Sequence, residues 1–257
     1  MILSKLRIYI DNSVKDKYYQ SHFNYHVFFI GFYLSKQFQK LKIEADGINV
    51  IDIVIGGNMA PSVKTIDSRS IIHVPFDLKS YSSIDKHGKC IYYTQLVKEA
   101  FGLLANVRNI PYCVLIDLIN TLQHDNFEYC WKFKTISLPL NNLKIEFFCN
   151  INTDDFTITI KVDNRNDKRN ILRGIVVRTK PDDIFFSHIS NKIRIERDKI
   201  FIVSKWGVDL IGINIDDLQH GRLNLQYCDT PYPDDKKASD NFFMLQRELK
   251  YDNYDFK

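Results

Sequence analysis

The segment that most constrains the fold is a long apolar and aromatic stretch near the N-terminus. Its apolar side chains recur at spacings of four and three, the period of an α-helix with one buried face. These positions are Tyr19, Phe23, Val27, Ile30, Leu34, Phe38 and Leu41. Asn12 and Ser13 precede the stretch and can cap a helix. The sequence therefore predicts one long helix that ends near Leu41.

A second aromatic stripe follows the same helix. Its members are Tyr18, His22, Tyr25, Phe29 and Phe32. A helix that is apolar around most of its girth is either covered on two sides by its own fold or offers one face to a partner. Burial within the fold is the commoner arrangement. Contact of this second stripe with a partner protein is the alternative.

The rest of the chain divides into two patterns. In the first part, strands are predicted at 6–10, 48–55 and 71–76, and helices at 89–107 and from Pro111. From about Leu143 the helical period gives way to strict alternation, which is typical of antiparallel strands. Strands are predicted there at 143–150, 156–162, 171–178, 193–197, 199–204, 208–213 and 222–228, followed by a short helix from Ser239.

These patterns predict an α+β fold. Residues 1–140 form a mixed α/β region with the long aromatic-rich helix, and residues 141–257 form an antiparallel β meander with a short C-terminal helix. The two regions either form separate domains or share one core. The composition is that of a globular protein, with 45% hydrophobic and 26% charged residues.

The net charge argues against a dedicated nucleic-acid binder. It is +4, from 35 basic and 31 acidic residues, and it is spread evenly along the chain. Proteins that bind nucleic acid usually concentrate their basic residues, because phosphate neutralisation supplies much of the affinity. A nucleic-acid partner is therefore not expected.

Cysteine usage and hydropathy indicate a cytoplasmic protein. The five cysteines are Cys90, Cys113, Cys130, Cys149 and Cys228. Their odd number and the lack of a CxxC motif favour reduced thiols over disulfides or a structural zinc site. Lys5 and Arg7 interrupt the N-terminal apolar residues, so no signal peptide is expected. The longest uncharged run, 18–35, contains several polar residues, so no membrane span is expected.

Short motifs offer little support for metal or phosphate chemistry. His22 and His26 have the spacing that places two imidazoles on one metal ion, but the zinc-protease pattern requires Glu where Phe23 stands. The Gly56-Gly57-Asn58 turn lacks the further glycines of a phosphate-binding loop. His124-Asp125 lacks the additional ligands of a metal-dependent phosphohydrolase. We therefore assign no catalytic, metal or cofactor residues.

Two other groups of charged residues invite a functional interpretation. Pro181-Asp182 with Glu196 and Lys199 resembles a metal-dependent nuclease only loosely, because the spacing between acid and lysine is wrong. A basic cluster flanks the turn at 163–170: Arg165, Lys168, Arg169, Arg173, Arg178 and Lys180. It can contact an acidic partner or phosphate. A solvated turn whose charges prevent edge pairing is the commoner explanation.

Three segments together resemble a known family. They are Ile72–Tyr81 (IHVPFDLKSY), Leu96–Ala105 (LVKEAFGLLA) and Ile193–Trp206 (IRIERDKIFIVSKW). A strand ending in Phe-Asp, a helix with Leu-x-x-Glu-Ala and a β-rich second half resemble immunity proteins of bacterial polymorphic toxin systems. The resemblance implies a cytosolic protein that binds one cognate toxin and blocks it, without catalytic residues. Many such proteins that block nucleases are acidic, so the basic charge here favours another target class.

The leading hypothesis is therefore a non-catalytic binding protein that neutralises a protein toxin. Its candidate partner-binding residues are Tyr18, His22, Tyr25, Phe29, Arg165, Lys168 and Arg169. The alternative is an enzyme that acts on nucleic acid or a phosphorylated substrate, with a dispersed site that includes His73, Asp77, His124 and Asp182. A structural component of a phage or plasmid system is a third interpretation, and it predicts an oligomer with a large apolar interface.

Overall fold

The structure is a computed structural model, and it describes residues 1–56, 60–182, 185, 188–189, 192–228 and 236–251. Side chains are described throughout these ranges except at 18, 19, 21, 22, 25, 236–238, 241, 242, 248, 250 and 251. The chain forms two compact units, Met1–Tyr129 and Cys130–Lys257. The predicted division at 140/141 thus lies after β5 (Tyr129–Leu138), a strand that belongs to the sheets of the second unit.

The first unit is built on a four-stranded mixed sheet. Its strands are β1 (Lys5–Ile10), β2 (Val50–Gly56), β3 (Ser62–Ile66) and β4 (Arg69–Pro75). They are ordered β1-β2-β4-β3, with β1, β2 and β4 parallel and β3 antiparallel to β4. Alternation along the strands gives one largely apolar face, which includes Ile8, Ile53 and Ile72 and is buried in the core.

The long helix α1 (Lys17–Leu41) joins β1 to β2 and protects the sheet edge. It lies so close to β1 that a Cβ atom added at Gly31 would be 3.1 Å from the Leu6 carbonyl oxygen. Polar side chains of α1 bind the edge backbone: Asn24 accepts from the Ile10 nitrogen (2.9 Å), Ser35 accepts from the Leu6 nitrogen (2.8 Å) and Gln39 donates to the Ser4 oxygen (2.8 Å). These bonds occupy backbone groups that an edge strand otherwise leaves open to pairing.

Three further helices complete the first unit. They are α2 (Leu78–Ser83), α3 (Lys86–Ala105) and α4 (Tyr112–His124). Helix α3 packs against β4 and α1, and α4 packs against α3. An aromatic cluster of Phe23, Phe76, Tyr81 and Tyr93 joins α1 to this region, with Phe23 and Tyr93 rings 5.1 Å apart. Burial of this cluster explains the aromatic residue at position 23 of α1.

The second unit contains two antiparallel four-stranded meanders. The first comprises β5, β6 (Leu143–Ile151), β7 (Phe156–Asn164) and β8 (Asn170–Thr179). The second comprises β9 (Lys192–Glu196), β10 (Lys199–Val203), β11 (Asp209–Asn214) and β12 (Leu225–Tyr227). Two helices, α5 (Ile215–Gln219) and α6 (Lys236–Tyr251), pack against β8.

The α+β class, the long helix and the antiparallel meander are confirmed. The structure adds four elements that the sequence does not predict: α2, β3, β5 and α5. Strand β3 was assigned to a loop after Pro61 because none of its side chains is fully buried, so its apolar pattern is weak. Strand β5 buries only Ile136 completely, for the same reason. None of the described helices is long and apolar enough to cross a membrane.

Candidate functional site

The turn between β5 and β6 exposes one leucine completely. Residues Pro139–Asn141 form a 3-10 helix, and Asn142 follows in the left-handed conformation with φ 54°. The Asn142 nitrogen donates to the Pro139 carbonyl oxygen at 3.2 Å. Leu140 is 99% exposed. Single exposed apolar side chains are common on protein surfaces, so the neighbours decide whether this one has a role.

The neighbouring turn between β7 and β8 carries three exposed cations. Arg165, Lys168 and Arg169 are all exposed. The Arg165 backbone nitrogen donates to the Asn142 carbonyl oxygen at 2.8 Å, which joins the two turns directly. Within the turn, the Arg169 nitrogen donates to the Asp167 carboxylate at 2.9 Å. The backbone is therefore ordered while the three long side chains extend into solvent.

Helix α5 fixes the leucine turn to the core of the second unit. Leu218 of this helix is fully buried. The adjacent Gln219 donates from Nε2 to the Asn141 carbonyl oxygen at 3.2 Å and accepts from Asn141 Nδ2 at 3.3 Å. Asn214 caps the helix by accepting a hydrogen bond from the Asp216 nitrogen at 2.8 Å. This paired amide contact holds Leu140 at the apex of a rigid support.

A buried carboxylate stabilises the base of the second turn. Burial of Asp163 opposes its ionisation, but hydrogen bonds from Lys161 (2.7 Å) and Asn170 (3.0 Å) outweigh that effect and lower the pKa of Asp163. Its charge is therefore matched by Lys161 rather than by the cations at the turn. Of the turn residues, only Asp167 offsets the charge of Arg165, Lys168 and Arg169.

We name Leu140, Arg165, Lys168 and Arg169 the tip surface. It combines an apolar side chain with an excess of positive charge on two turns that are held by backbone and side-chain hydrogen bonds. The ordered backbone of the two turns loses little conformational entropy on binding, whereas each long cationic side chain loses rotamer freedom if a partner fixes it.

The predicted basic cluster is divided by the structure. Arg178 lies at the opposite end of the β7–β8 hairpin, where its Nε is 3.2 Å from Asp155. Arg173 is opposite Lys161 in the middle of the hairpin. Arg165, Lys168 and Arg169 therefore form the local cation group without the other predicted members.

The structure describes part of the second aromatic stripe of α1. Phe29 is fully buried, so it packs in the core and cannot contact a partner in this structure. The interpretation of Phe29 as a partner-binding residue is thus wrong for this conformation, because the helix is covered at that position. The side chains of Tyr18, His22 and Tyr25 lie outside the described residues, so their role stays a prediction.

The dispersed catalytic residues are not linked by any described hydrogen bond or ion pair. The Asp77 carboxylate caps α2 by accepting from the Lys79 and Ser80 nitrogens, and these contacts lower its pKa, with the Ser80 side chain contributing most. His124 is 90% exposed at its side chain, and its nearest charged partner is Asp125. His73 lies on β4, and Asp182 belongs to the second unit.

The weaker motifs also have structural explanations. Glu196 pairs with Arg194 of the same strand at 2.6 Å, and Lys199 of β10 donates to Gln226 of β12 at 3.0 Å, so both side chains make contacts within their own sheet. Gly57 and Asn58 of the glycine turn and Asp183 lie outside the described residues. Across the described part of the chain, no group of three His, Cys, Asp or Glu side chains is placed to hold a metal ion.

Sequence reasoning missed Leu140 and the contact that joins its turn to Arg165. The Pro139-Leu140-Asn141-Asn142 segment between two alternating runs is a turn signal that could have been recognised. The contact between the two turns depends on strand register, which no local pattern contains. Comparison with protein-family models, with curated proteins and with solved structures finds no match to this chain.

Proposed function

We propose that this chain is a non-catalytic binding protein that neutralises a cognate protein toxin by covering its functional surface. The observation that supports binding is the tip surface, where a fully exposed leucine lies beside three exposed cations on ordered turns. The toxin as partner is inferred from the resemblance of three sequence segments to immunity proteins. The contact region of the partner is an apolar pocket with acidic residues at its rim.

The expected energetics follow from the chemistry of the tip surface. Burying one leucine side chain contributes about 2 kcal/mol, which corresponds to roughly 30-fold in the dissociation constant. The three cations at the rim chiefly raise the association rate and its dependence on salt. Leu140 is therefore the residue that slows dissociation, and Arg165, Lys168 and Arg169 are the residues that steer the partner.

The first test is affinity capture of the tagged chain from the organism that produces it, followed by mass spectrometry. We expect one protein in stoichiometric amount that arrests growth when expressed alone and is harmless when this chain is co-expressed. Leu140→Asp should weaken the purified complex by about 30-fold or more and reduce growth rescue. Its thermal stability should be unchanged, because the side chain is exposed.

Val107→Asp is the matched control, because Val107 is an exposed apolar residue, 58% accessible, in the first unit. This variant should bind the partner and rescue growth like the unmodified chain. Failure to capture a stoichiometric protein would contradict the proposal, as would a captured protein that is harmless on its own. Equal losses in Leu140→Asp and Val107→Asp would show that the tip surface is not the contact region.

A further inference from the structure

The sheet of the first unit has a second face whose chemistry differs from that of the buried face. Strand alternation places Lys5, Arg7 and Tyr9 of β1 on this side. The strand register extends the face with Val50, Asp52 and Val54 of β2, Arg69, Ile71 and His73 of β4, and Ser62, Lys64 and Ile66 of β3. Four of these residues are cations from three different strands.

Asp52 holds two of the four cations in place. The carboxylate is fully buried and accepts from Arg7 Nε at 2.6 Å and from Arg7 Nη2 at 3.0 Å. Arg69 Nε donates to Oδ2 of Asp52, the same oxygen that accepts from Arg7 Nη2. The two arginine side chains are nevertheless 41% and 44% exposed. These bonds use Nε and Nη2 of Arg7 and Nε of Arg69. Among the described residues, Arg7 Nη1 and both terminal nitrogens of Arg69 make no hydrogen bond, so they can donate to a ligand.

The charge on this face is unbalanced. Lys5 and Lys64 are exposed, and Asp52 is the only acidic side chain at the described strand positions of the face. Asp11, directly after β1, interacts electrostatically with His73 at the margin of the face. Four cations against these two carboxylates leave an excess of positive charge. Both arginines pair with the one buried carboxylate, and the two lysines have no part in that pairing, so the face keeps a net positive charge.

The spacing of the cations suits an extended polyanion. Lys5 and Arg69 lie in one row across the sheet, about 10 Å apart, and Arg7 and Lys64 lie in the next row, about 14 Å apart, given the usual strand separation. A flat face with cations distributed over this area is poorly suited to one small anion. It is well suited to several consecutive phosphates of a chain.

Aromatic side chains occupy the adjacent row. Tyr9 and His73 flank Val54 on this same face, and both are partly exposed. Planar rings next to a cationic sheet face provide stacking partners for unpaired bases. An acidic polypeptide would have no equivalent use for these rings, so they favour nucleic acid as the ligand.

We propose that Lys5, Arg7, Lys64 and Arg69 form a binding site for single-stranded nucleic acid, with Tyr9 as a stacking position. The inference is independent of the toxin-neutralising function, because it concerns another surface in another unit. The even distribution of charge along the sequence argued against such a partner. Folding concentrates cations from positions far apart in the chain on one sheet face.

The test uses the full chain and fluorescein-labelled oligo(dT) and oligo(U) of about 15 nucleotides, a length that exceeds one typical binding site. Binding is followed by fluorescence anisotropy at salt concentrations between about 50 and 200 mM. We expect a linear decrease of log K with log salt, with a slope of about −2 to −3 for three to four phosphate contacts.

The Lys5→Gln/Lys64→Gln variant should reduce the magnitude of this slope by about 1.4 and weaken binding about 25-fold at 0.1 M salt. Both residues are exposed, so the fold should be unaffected. Tyr9→Leu should weaken oligonucleotide binding at least about fivefold and leave binding of inorganic polyphosphate unchanged. Lys168→Gln/Arg169→Gln, which makes the same charge change on the tip surface, should bind oligonucleotides normally.

The absence of oligonucleotide binding at the lowest salt would overturn the proposal. So would equal losses in the lysine variant and the tip-surface control, since this would indicate nonspecific attraction. If polyglutamate displaces the labelled oligonucleotide as well as unlabelled oligonucleotide does, and Tyr9→Leu binds the oligonucleotide normally, the ligand of the face is an acidic protein instead. If Leu140→Asp loses growth rescue and Lys5→Gln/Lys64→Gln does not, the tip surface and this site act separately.

Discussion

The buried Asp52 allows a quantitative test of what holds the sheet of the first unit together. Its carboxylate is fully buried and is paired with two arginines that remain partly exposed. Arg69→Gln removes one charged hydrogen bond and leaves the bidentate pair with Arg7, which we expect to cost about 1.5–3 kcal/mol. Arg7→Gln/Arg69→Gln leaves a buried carboxylate without a cation, which we expect to cost about 3–5 kcal/mol.

A third substitution separates the charge from the packing. Adding Asp52→Asn to the double arginine variant removes the uncompensated charge, so the triple variant should be more stable than the double variant. Removing all partners of an ion pair together is often close to neutral, whereas removing one side is costly. The order of stability should therefore be the unmodified protein, then the triple variant, then the double arginine variant.

The assay must report on the first unit alone. Both tryptophans, Trp131 and Trp206, lie in the second unit, so their fluorescence does not monitor this sheet. Hydrogen exchange, measured by mass spectrometry on peptides from β1, β2 and β4, monitors this sheet directly. Where exchange requires global unfolding, a loss of 3 kcal/mol in the free energy of unfolding accelerates it by about 150-fold. If the triple variant exchanges as fast as the double variant, the reasoning about Asp52 is wrong.

Three further predictions concern the two cores. Tyr81 and Tyr93 share a buried hydroxyl–hydroxyl hydrogen bond of 2.7 Å. Each single change to Phe should therefore cost about 1–3 kcal/mol in urea unfolding, while the double change costs less than the sum. Gly102→Ala in α3, where an added Cβ meets no atom within 4 Å, should stabilise the protein by about 0.5–1 kcal/mol. Gly31→Val should destabilise it by about 1–3 kcal/mol, because its side chain meets the Leu6 backbone; thermal melting compares the two. Burial raises the pKa of the Cys149 thiol from 9.0 to about 12. Between pH 9 and about pH 12, the thiol ionises in the unfolded chain but not in the folded one, which favours unfolding. The contribution of the neutral Cys149 thiol to stability is therefore complete below pH 9 and is lost as the pH rises towards 12. Cys149→Val should flatten that decline in alkaline denaturation curves.

The elements that the sequence predicted well are those with a strong local period. The apolar spacing of α1 repeats over many turns, which predicts a helix. Apolar and polar residues alternate along most of β6 and β7, which predicts strands. Strand β3 lacked that signal because it lies at an edge and is only partly buried. Periodicity thus identifies an element to the extent that the fold buries one of its faces.

Of the candidate site residues, the sequence correctly placed Arg165, Lys168 and Arg169 at an exposed turn. It did not identify their neighbour Leu140, and it included Phe29, which the core covers. Exposure of an aromatic helix residue depends on whether another segment packs over it. That information lies in the rest of the chain and not in the helix itself.

The sequence by itself determined the α+β class, the long helix and the alternating strands, because each depends on neighbours within a few residues. Only the tertiary structure decided which distant residues meet. The contact of Asn142 with Arg165 and the pairing of Arg7, Asp52 and Arg69 require strand order and register. Register is fixed by the burial of whole sheet faces, a cooperative property that no short segment specifies.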